Sequence, residues 1–143
     1  MRIEHSVIVP YTVEQTFEVV NDVARYHEFL PGCECSTVFN RTCTTYDARL
    51  NLVALGIQKE LITRNTPKSN RSLAVELVQG PFIELQGTWR FQDYGEGCRV
   101  TLDLDCDFAT ELIQVFSSTL LKRGIARTVD AFIKEVRRRR EQD

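Results

Sequence analysis

The sequence predicts a single α+β domain over residues 1–143, in which a curved antiparallel sheet wraps around one long C-terminal helix. Three features of the chain predict this fold. An amphipathic strand, RIEHSVIV, opens the chain; polar and apolar residues alternate from about residue 34 to residue 108; and apolar residues recur at helical spacing from residue 110 to about 138. The length of 143 residues is close to the commonest size of one domain.

The first strand is predicted over residues 2–9, where Ile3, His5, Val7 and Val9 share one phase of the alternation. Its position on an apolar phase makes His5 a candidate polar contact for a ligand. The other interpretation is a strand histidine that is hydrogen-bonded within the fold.

Two short helices are predicted after the first strand. Thr12 and Gln15 match a capping box, which begins a helix near residues 12–22. A second helical turn over 24–29 stops before Pro31, because the residue that precedes a proline is disfavoured in helical conformation.

The central part of the chain predicts an antiparallel sheet with one apolar face and one wet face. Alternation is clear in residues 43–52, 71–78, 82–91 and 98–108, whereas the apolar phase of a strand near 57–64 is ambiguous. Turns are predicted at 65–72, at Gly80–Pro81 and at Asp93–Gly97. The final helix, predicted over 110–138, has an apolar stripe broad enough to cover the sheet.

A twisted sheet around one helix leaves a concave space between the two, where an apolar small molecule could bind. The candidates for lining this cavity are Phe29, Leu30, Tyr46, Leu50, Phe82, Trp89, Phe91, Phe116 and Leu120. The alternative is that these side chains form ordinary core.

Catalytic and metal-binding motifs find little support in the sequence. His27, Cys33 and Cys35 lie close together, but they offer three ligands at most, and nothing nearby would orient a histidine as the base of a nucleophile. The wet phase of the last strand carries three acidic residues, Asp103, Asp105 and Asp107, which predict a solvated face and not an acid–base pair. We therefore expect no metal site, no required cofactor and no catalytic residue.

The charge of the chain is uneven. The net charge is −2, but residues 122–143 carry eight Lys/Arg against four Asp/Glu. Arg137, Arg138, Arg139 and Arg140 form a basic run, either a solvated helix end or a contact with RNA or an anionic membrane. No partner role for DNA is predicted. Five scattered cysteines and the lack of a signal or membrane-spanning pattern predict a cytoplasmic protein with reduced thiols.

Three stretches resemble the START-like superfamily of polyketide cyclases/dehydrases and lipid transport proteins: VPYTVEQTFEVVNDVARYHEFLPGC (9–33), LVQGPFIELQGTWRF (77–91) and CRVTLDLDCDF (98–108). Within that superfamily they are similar to the coenzyme Q-binding protein and ribosome association toxin RatA subfamily. The resemblance implies a helix-grip fold with a deep apolar cavity. It extends to the motif positions Pro31, Gly80, Pro81, Phe82 and Trp89.

The resemblance implies three functions. The first is a non-enzymatic protein that binds a ubiquinone-type lipid and supports respiration. The second is a RatA-like toxin that binds the large ribosomal subunit and blocks subunit association, and the third is a cyclase or dehydrase. The first two place the protein in the cytoplasm, with the inner membrane face as a candidate peripheral location.

Overall fold

The computed structural model describes residues 1–54, 56–108 and 118–142, and it confirms the helix-grip arrangement. The described elements, in chain order, are β1 (Arg2–Val9), α1 (Val13–Val20), a 3₁₀ helix (Val23–Glu28), β2 (Cys33–Phe39), β3 (Tyr46–Ala54), β4 (Ile57–Lys68), β5 (Ser72–Gln79), β6 (Phe82–Tyr94), β7 (Gly97–Phe108) and α2 (Ser118–Glu141). The strands form one antiparallel sheet in the order β1-β7-β6-β5-β4-β3-β2. Of the helix predicted over 110–138, residues 110–117 lie outside the described residues.

The predicted capping box is confirmed at the start of α1. The backbone N–H of Gln15 donates to Thr12 Oγ1 at 3.1 Å, and the backbone N–H of Thr12 donates to Gln15 Oε1 at 3.0 Å. These reciprocal bonds satisfy groups that a helix terminus would otherwise leave unpaired. α1 is shorter than the predicted 12–22, since it ends at Val20.

The hairpin between β4 and β5 corrects the predicted turn at 65–72. β4 continues through Pro67 to Lys68, and the reversal is made by Ser69 and Asn70, both with positive φ (50° and 56°). Two adjacent residues with positive φ suit the twist of a tight hairpin. β3 begins at Tyr46, which pairs with Asn65 of β4, so β4 extends beyond β3 at Pro67 and has a free edge on that side. Proline is tolerated at a free edge because the backbone N–H that it lacks is not needed for pairing there.

Two adjacent buried residues explain why the apolar phase of β4 was ambiguous in the sequence. Leu61 and Ile62 are both buried although they lie on opposite phases, and Thr63 is polar although it shares the buried phase of Leu61. The pairing of β4 with β5 also shifts register between Ile62 and Thr63, where β5 contains one extra residue, Val78, as in a β-bulge.

The core lies between the concave face of the sheet and α2. The helix contributes buried residues spaced four, three and four positions apart, namely Ile125, Val129, Phe132 and Val136, which lie on one side of the helix. Within the described ranges, none of the helices has the length and apolar composition needed to cross a bilayer.

Candidate binding surfaces

An aromatic cluster fills one end of the space between the sheet and α2. The ring of Phe132 lies edge-on to Tyr26, Phe29 and Trp89, with centroids 5.0, 5.5 and 5.2 Å away. Phe91 stacks on Trp89 at 6.4 Å. Because Trp89, Phe91 and Phe132 are almost completely buried, these rings form packed core that fixes the 3₁₀ helix and α2 against the sheet.

An aliphatic cluster occupies the opposite end of the same face. Its buried members are Leu61, Leu85, Cys106 and Phe108, and the partly buried residues packed around them are Leu50, Leu52, Ile57, Leu77, Phe82, Leu104 and Leu121. The turn at Gly80 lies close against this cluster, since a Cβ there would be 2.8 Å from Leu61 Cδ1. The partial exposure of so many apolar side chains makes this end, which we call the aliphatic floor, the part of the concave face best suited to an apolar ligand.

A chain of polar side chains crosses the concave face near the end of α1. The Thr63 hydroxyl donates to Asn65 Oδ1 at 2.8 Å, and Asn65 Nδ2 donates to the Tyr46 hydroxyl at 3.4 Å. That hydroxyl in turn donates to Asn21 Oδ1 at 2.7 Å. Burial raises the pKa of Tyr46, so it remains a neutral donor. The Tyr46 hydroxyl therefore links the end of α1 to the sheet.

The predicted cavity residues fall into groups of different exposure. Tyr46, Trp89 and Phe91 are buried, Phe29, Leu30, Leu50 and Phe82 are partly buried, Leu120 is 41% exposed, and Phe116 lies outside the described residues. Contact with a ligand stays a prediction for all of them.

His5 lies on the concave phase of β1, where it is half-buried and pairs across the ladder with Leu102. Its ring makes no hydrogen bond with any described residue, so the expectation of a hydrogen-bonded strand histidine finds no partner in this part of the chain. A polar contact between His5 and a ligand stays a prediction.

The histidine and cysteines near residue 30 do not come together as a reactive pair. His27 Nδ1 lies 2.9 Å from Ser36 Oγ, which itself donates to the Ala24 carbonyl at 3.1 Å. Cys33 is buried and Cys35 is exposed, because the pairing of β2 with β3 shifts register between them. Burial raises the pKa of the Cys33 thiol to about 11, which makes it a weak nucleophile.

The acidic residues of β7 lie on the wet face, as the sequence predicts. Asp105 and Asp107 have side chains 63% and 60% exposed. Asp103 accepts hydrogen bonds from Arg2 at 2.8 and 3.1 Å, and these hold its pKa below the usual range. Arg90 lies on its other side at 3.7 Å. The three carboxylates thus form a partly neutralised surface and not an acid–base pair.

The wet phase of β3 contains an exception at Asp47. Its side chain is only 4% exposed and accepts hydrogen bonds from Arg64 Nε at 3.0 Å and from Asn40 Nδ2 at 3.1 Å. Both bonds lower the pKa of Asp47, with Arg64 the larger cause. Alternation alone predicts exposure here, because it does not show that a cation on the neighbouring strand covers the carboxylate.

A buried carboxylate in α2 divides the basic run at the end of the chain. Glu135 is 3% exposed; Arg138 donates to it twice at 2.7 Å, and Arg139 Nε donates at 2.9 Å. These hydrogen bonds, chiefly those from Arg138, hold the pKa of Glu135 down at about 2. Arg139 also lies 3.2 Å from Asp22 Oδ2 and so links α2 to the residue before the 3₁₀ helix.

The arginine run is therefore not one uniform basic surface. Arg138 and Arg139 bind a buried carboxylate, whereas Arg137 is exposed and has no ion pair with any described residue. Arg140 is exposed as well. The part of the run that is open to a partner is narrower than the sequence suggests.

Two depressions on the outer surface are polar. One, of about 340 Å³, lies at the β2–β3 loop and is lined by Asn40, Arg41, Thr42, Thr45, Asp47 and Arg64. The other, of about 570 Å³, lies beside α1 and includes Phe17, Asn21 and Asn70. Their charged and polar linings differ from the apolar lining that is typical of lipid sites.

Sequence reasoning missed Thr63 and Asn65 as residues of the concave face and did not name Phe132 of α2 as a candidate residue. Phe132 belongs to the apolar stripe of the last helix, so its spacing could have indicated its position. Asn65 was assigned to a turn, and Thr63 is a polar residue on the buried phase of Leu61. A pattern of apolar residues does not mark such positions, because it assigns a polar side chain to the wet face.

The fold and the apolar concave face together define a helix-grip protein. The chain belongs to the family described as polyketide cyclase / dehydrase and lipid transport, which matches residues 9–133. This confirms the resemblance found in the sequence.

Relatives within the family differ in their similarity to this chain. The ribosome association toxin RatA of Escherichia coli (strain K12) is 38% identical over 132 residues, which cover 92% of this chain and 84% of that protein. The mitochondrial coenzyme Q-binding protein COQ10 of Dictyostelium discoideum is 26% identical over 132 residues, covering 90% of this chain and 63% of that protein. The structure of the Zhui aromatase/cyclase from Streptomyces sp. R1128 superposes with a TM-score of 0.82 at 18% identity, over 97% of this chain and 94% of that chain, and shows the shared fold.

Proposed function

We propose that this protein is a non-enzymatic binding protein that associates with the large ribosomal subunit and hinders subunit joining. The observation that supports this most is the 38% identity to a ribosome association toxin across 92% of the chain. The coenzyme Q-binding relative is 26% identical. These identities reverse the order of the two functions that the sequence alone suggested.

The chemistry of the described residues supports a binding role over catalysis. The thiols of Cys33, Cys98 and Cys106 have a raised pKa, with burial as the main cause. The Tyr46 hydroxyl is held by hydrogen bonds in the polar chain. Acid–base or nucleophilic work usually requires a group with a pKa suited to that step, and the likeness to an aromatase/cyclase extends to the fold alone.

Sucrose-gradient sedimentation tests the proposal. Purified protein is added in excess to Escherichia coli ribosomes at a magnesium concentration where subunits and assembled ribosomes coexist. We expect the protein to sediment with the large subunit and the peak of assembled ribosomes to fall. An unchanged profile, with the protein remaining at the top of the gradient, would refute the proposal.

A second candidate function is the binding of a ubiquinone-type lipid, and the aliphatic floor favours it. Leu50, Leu52, Leu77 and Leu104 are only partly buried although they lie on the concave face. Covering such apolar surface with an apolar ligand is favourable by roughly 25 cal/mol per Å². The two functions do not exclude each other, because a ligand on the concave face leaves the outer surface of the protein free for a partner.

Ligand binding is tested by extracting the purified protein with organic solvent and analysing the extract by mass spectrometry, followed by titration with ubiquinone. Leu50→Ala should weaken binding, because this side chain is a partly buried member of the aliphatic floor, and Cys35→Ser, at an exposed position of the neighbouring strand, serves as the control. Absence of extracted lipid together with no response to added ubiquinone would exclude this function.

A further inference from the structure

The exposed side of α2 carries a row of cations. Arg123, Arg127, Lys134 and Arg137 are all exposed. With 3.6 residues per turn, their positions fall within an arc of about 80° around the helix. The opposite side of the helix carries the buried residues that face the sheet. We call these four residues the cationic stripe.

Most of the positive charge of the cationic stripe is not neutralised by the residues that the structure describes. Lys134 Nζ lies 3.1 Å from Asp130 Oδ2, in an exposed pair. In the described part of the chain, Arg123, Arg127 and Arg137 have neither an ion pair nor a side-chain hydrogen bond. They differ in this from Arg138 and Arg139, whose guanidinium groups are committed to Glu135.

The charge of the rest of the protein favours this side for a polyanionic partner. Residues 122–143 carry a net charge of +4, and the remainder of the chain carries −6. The outer face of the sheet presents Asp103, Asp105 and Asp107, which are only partly neutralised by Arg2, Arg90 and the N-terminal ammonium group. A polyanion is therefore attracted more strongly to α2 than to that face, which favours one orientation for the encounter.

The side chains around the stripe favour RNA over a membrane. A helix that lies on a membrane inserts large apolar side chains beside its cations. The exposed large apolar residues of the described chain are Met1, Ile8, Val78, Ile83, Tyr94 and Leu120. Of these, Leu120 lies on α2, one turn before Arg123, and the described helix after it presents none. One apolar side chain at the end of the stripe is less than the row of large apolar residues that a membrane-inserting helix presents. Exposed arginines suit phosphate oxygens, which the guanidinium group binds through paired N–H donors.

We propose that the cationic stripe contacts the phosphate backbone of ribosomal RNA on the large subunit. The inference rests on the proposed ribosome association and adds the surface through which the contact is made. It also changes the contact expected from the sequence: Arg137 belongs to the RNA-binding surface, while Arg138 and Arg139 stabilise the fold.

The test compares two triple variants that lose the same charge. The stripe variant is Arg123→Gln/Arg127→Gln/Arg137→Gln. The control variant is Arg41→Gln/Lys68→Gln/Arg99→Gln, which removes three exposed cations from the strands and loops of the sheet. Glutamine is a good helix former, and circular dichroism with thermal unfolding checks that both variants fold.

Binding to purified Escherichia coli large subunits is measured by pelleting at several salt concentrations. For the stripe variant we expect Kd to rise roughly 10-fold or more, and the slope of log K against log salt to decrease by about 3, one for each lost phosphate contact. The control variant should bind as the wild type does.

Three other outcomes would overturn the inference. If wild type and stripe variant bind the large subunit equally, the proposed function stands and the stripe is not the contact. If the wild type itself does not bind, both proposals fail. If the stripe variant keeps subunit binding but loses binding to phosphatidylglycerol vesicles, the surface is a membrane contact.

Discussion

Replacing Glu135 with glutamine removes the charge at the centre of the ion-pair cluster that links α2 to the 3₁₀ helix. The carboxylate is 3% exposed and accepts hydrogen bonds from Arg138 and Arg139, and Arg139 also reaches Asp22. The variant leaves two guanidinium groups without their anion, the partly buried one of Arg139 and the more exposed one of Arg138, and losing a buried carboxylate partner is usually more costly than losing an exposed pair. We therefore expect Glu135→Gln to destabilise the protein at neutral pH.

The size of the effect follows from the pKa of Glu135. It falls from an ordinary 4.5 to about 2 on folding. One pKa unit corresponds to about 1.4 kcal/mol, so the charged form contributes at most about 3 kcal/mol to the free energy of unfolding at neutral pH. Since the pKa is lowered in the folded state, this stability is present above the unfolded-state value and is lost as the pH falls toward 2. By about pH 3 the wild type should have lost about 2 kcal/mol of it.

The assay is urea unfolding at pH values from about 7 to 3, followed by the fluorescence of Trp89, which is the single tryptophan and is buried. Wild type should lose stability more steeply than Glu135→Gln as the pH falls, so that the two curves converge at the acid end. Glu28→Gln is the matched control, because Glu28 also pairs with an arginine three residues away, Arg25, but in an exposed position. Parallel curves for wild type and Glu135→Gln, or an equal loss in the control, would refute this explanation.

Three further predictions concern the core and the thiols. Phe132→Ala should lower the free energy of unfolding by about 3–5 kcal/mol, because it opens a cavity at the centre of the aromatic cluster, and a loss below about 1 kcal/mol in urea unfolding would contradict that position. Tyr46→Phe should cost about 1–2 kcal/mol by the same measurement, since it leaves polar partners unpaired, and an unchanged midpoint would show that the hydroxyl is not needed there. Cys33 should react with iodoacetamide at about pH 8 at least about ten-fold more slowly than the exposed Cys43, as followed by mass spectrometry of peptides, and equal rates would contradict its burial.

Regular parts of the fold could be predicted from the sequence because local rules determine them. The alternation in residues 98–108 places one phase of β7 in the core, and Thr12 with Gln15 marks the start of α1. In both cases the residues that decide the structure lie within a few positions of one another, so no knowledge of distant contacts is needed.

Other features depend on contacts between distant parts of the chain and could not be predicted in that way. The sequence places Asn65 in a turn, and only its hydrogen bond with Tyr46, nineteen positions away, shows that it belongs to the concave face. Alternation predicts that Asp47 is exposed, whereas Arg64 covers its carboxylate. The run from residue 137 to 140 suggests a single basic surface, but two of its arginines bind the buried Glu135 of the same helix.

The residues predicted to line a cavity lie on the concave face where the structure describes the sheet, and their contact with a ligand stays a prediction. Trp89 and Phe91 are packed core, whereas Leu50 and Phe82 belong to the more open, mostly aliphatic end. Periodicity shows which face a side chain lies on, whereas the exposure of that face depends on how α2 and the 3₁₀ helix cover it. That coverage is a property of the whole fold.

The most direct test of the proposed ribosome association is an equilibrium titration of the wild-type protein against purified large and small ribosomal subunits in separate experiments at physiological salt. We expect saturable binding to the large subunit that weakens steeply as salt is added, and no saturable binding to the small subunit. Binding that is absent, or that is equal for both subunits and never saturates, would contradict the proposed function.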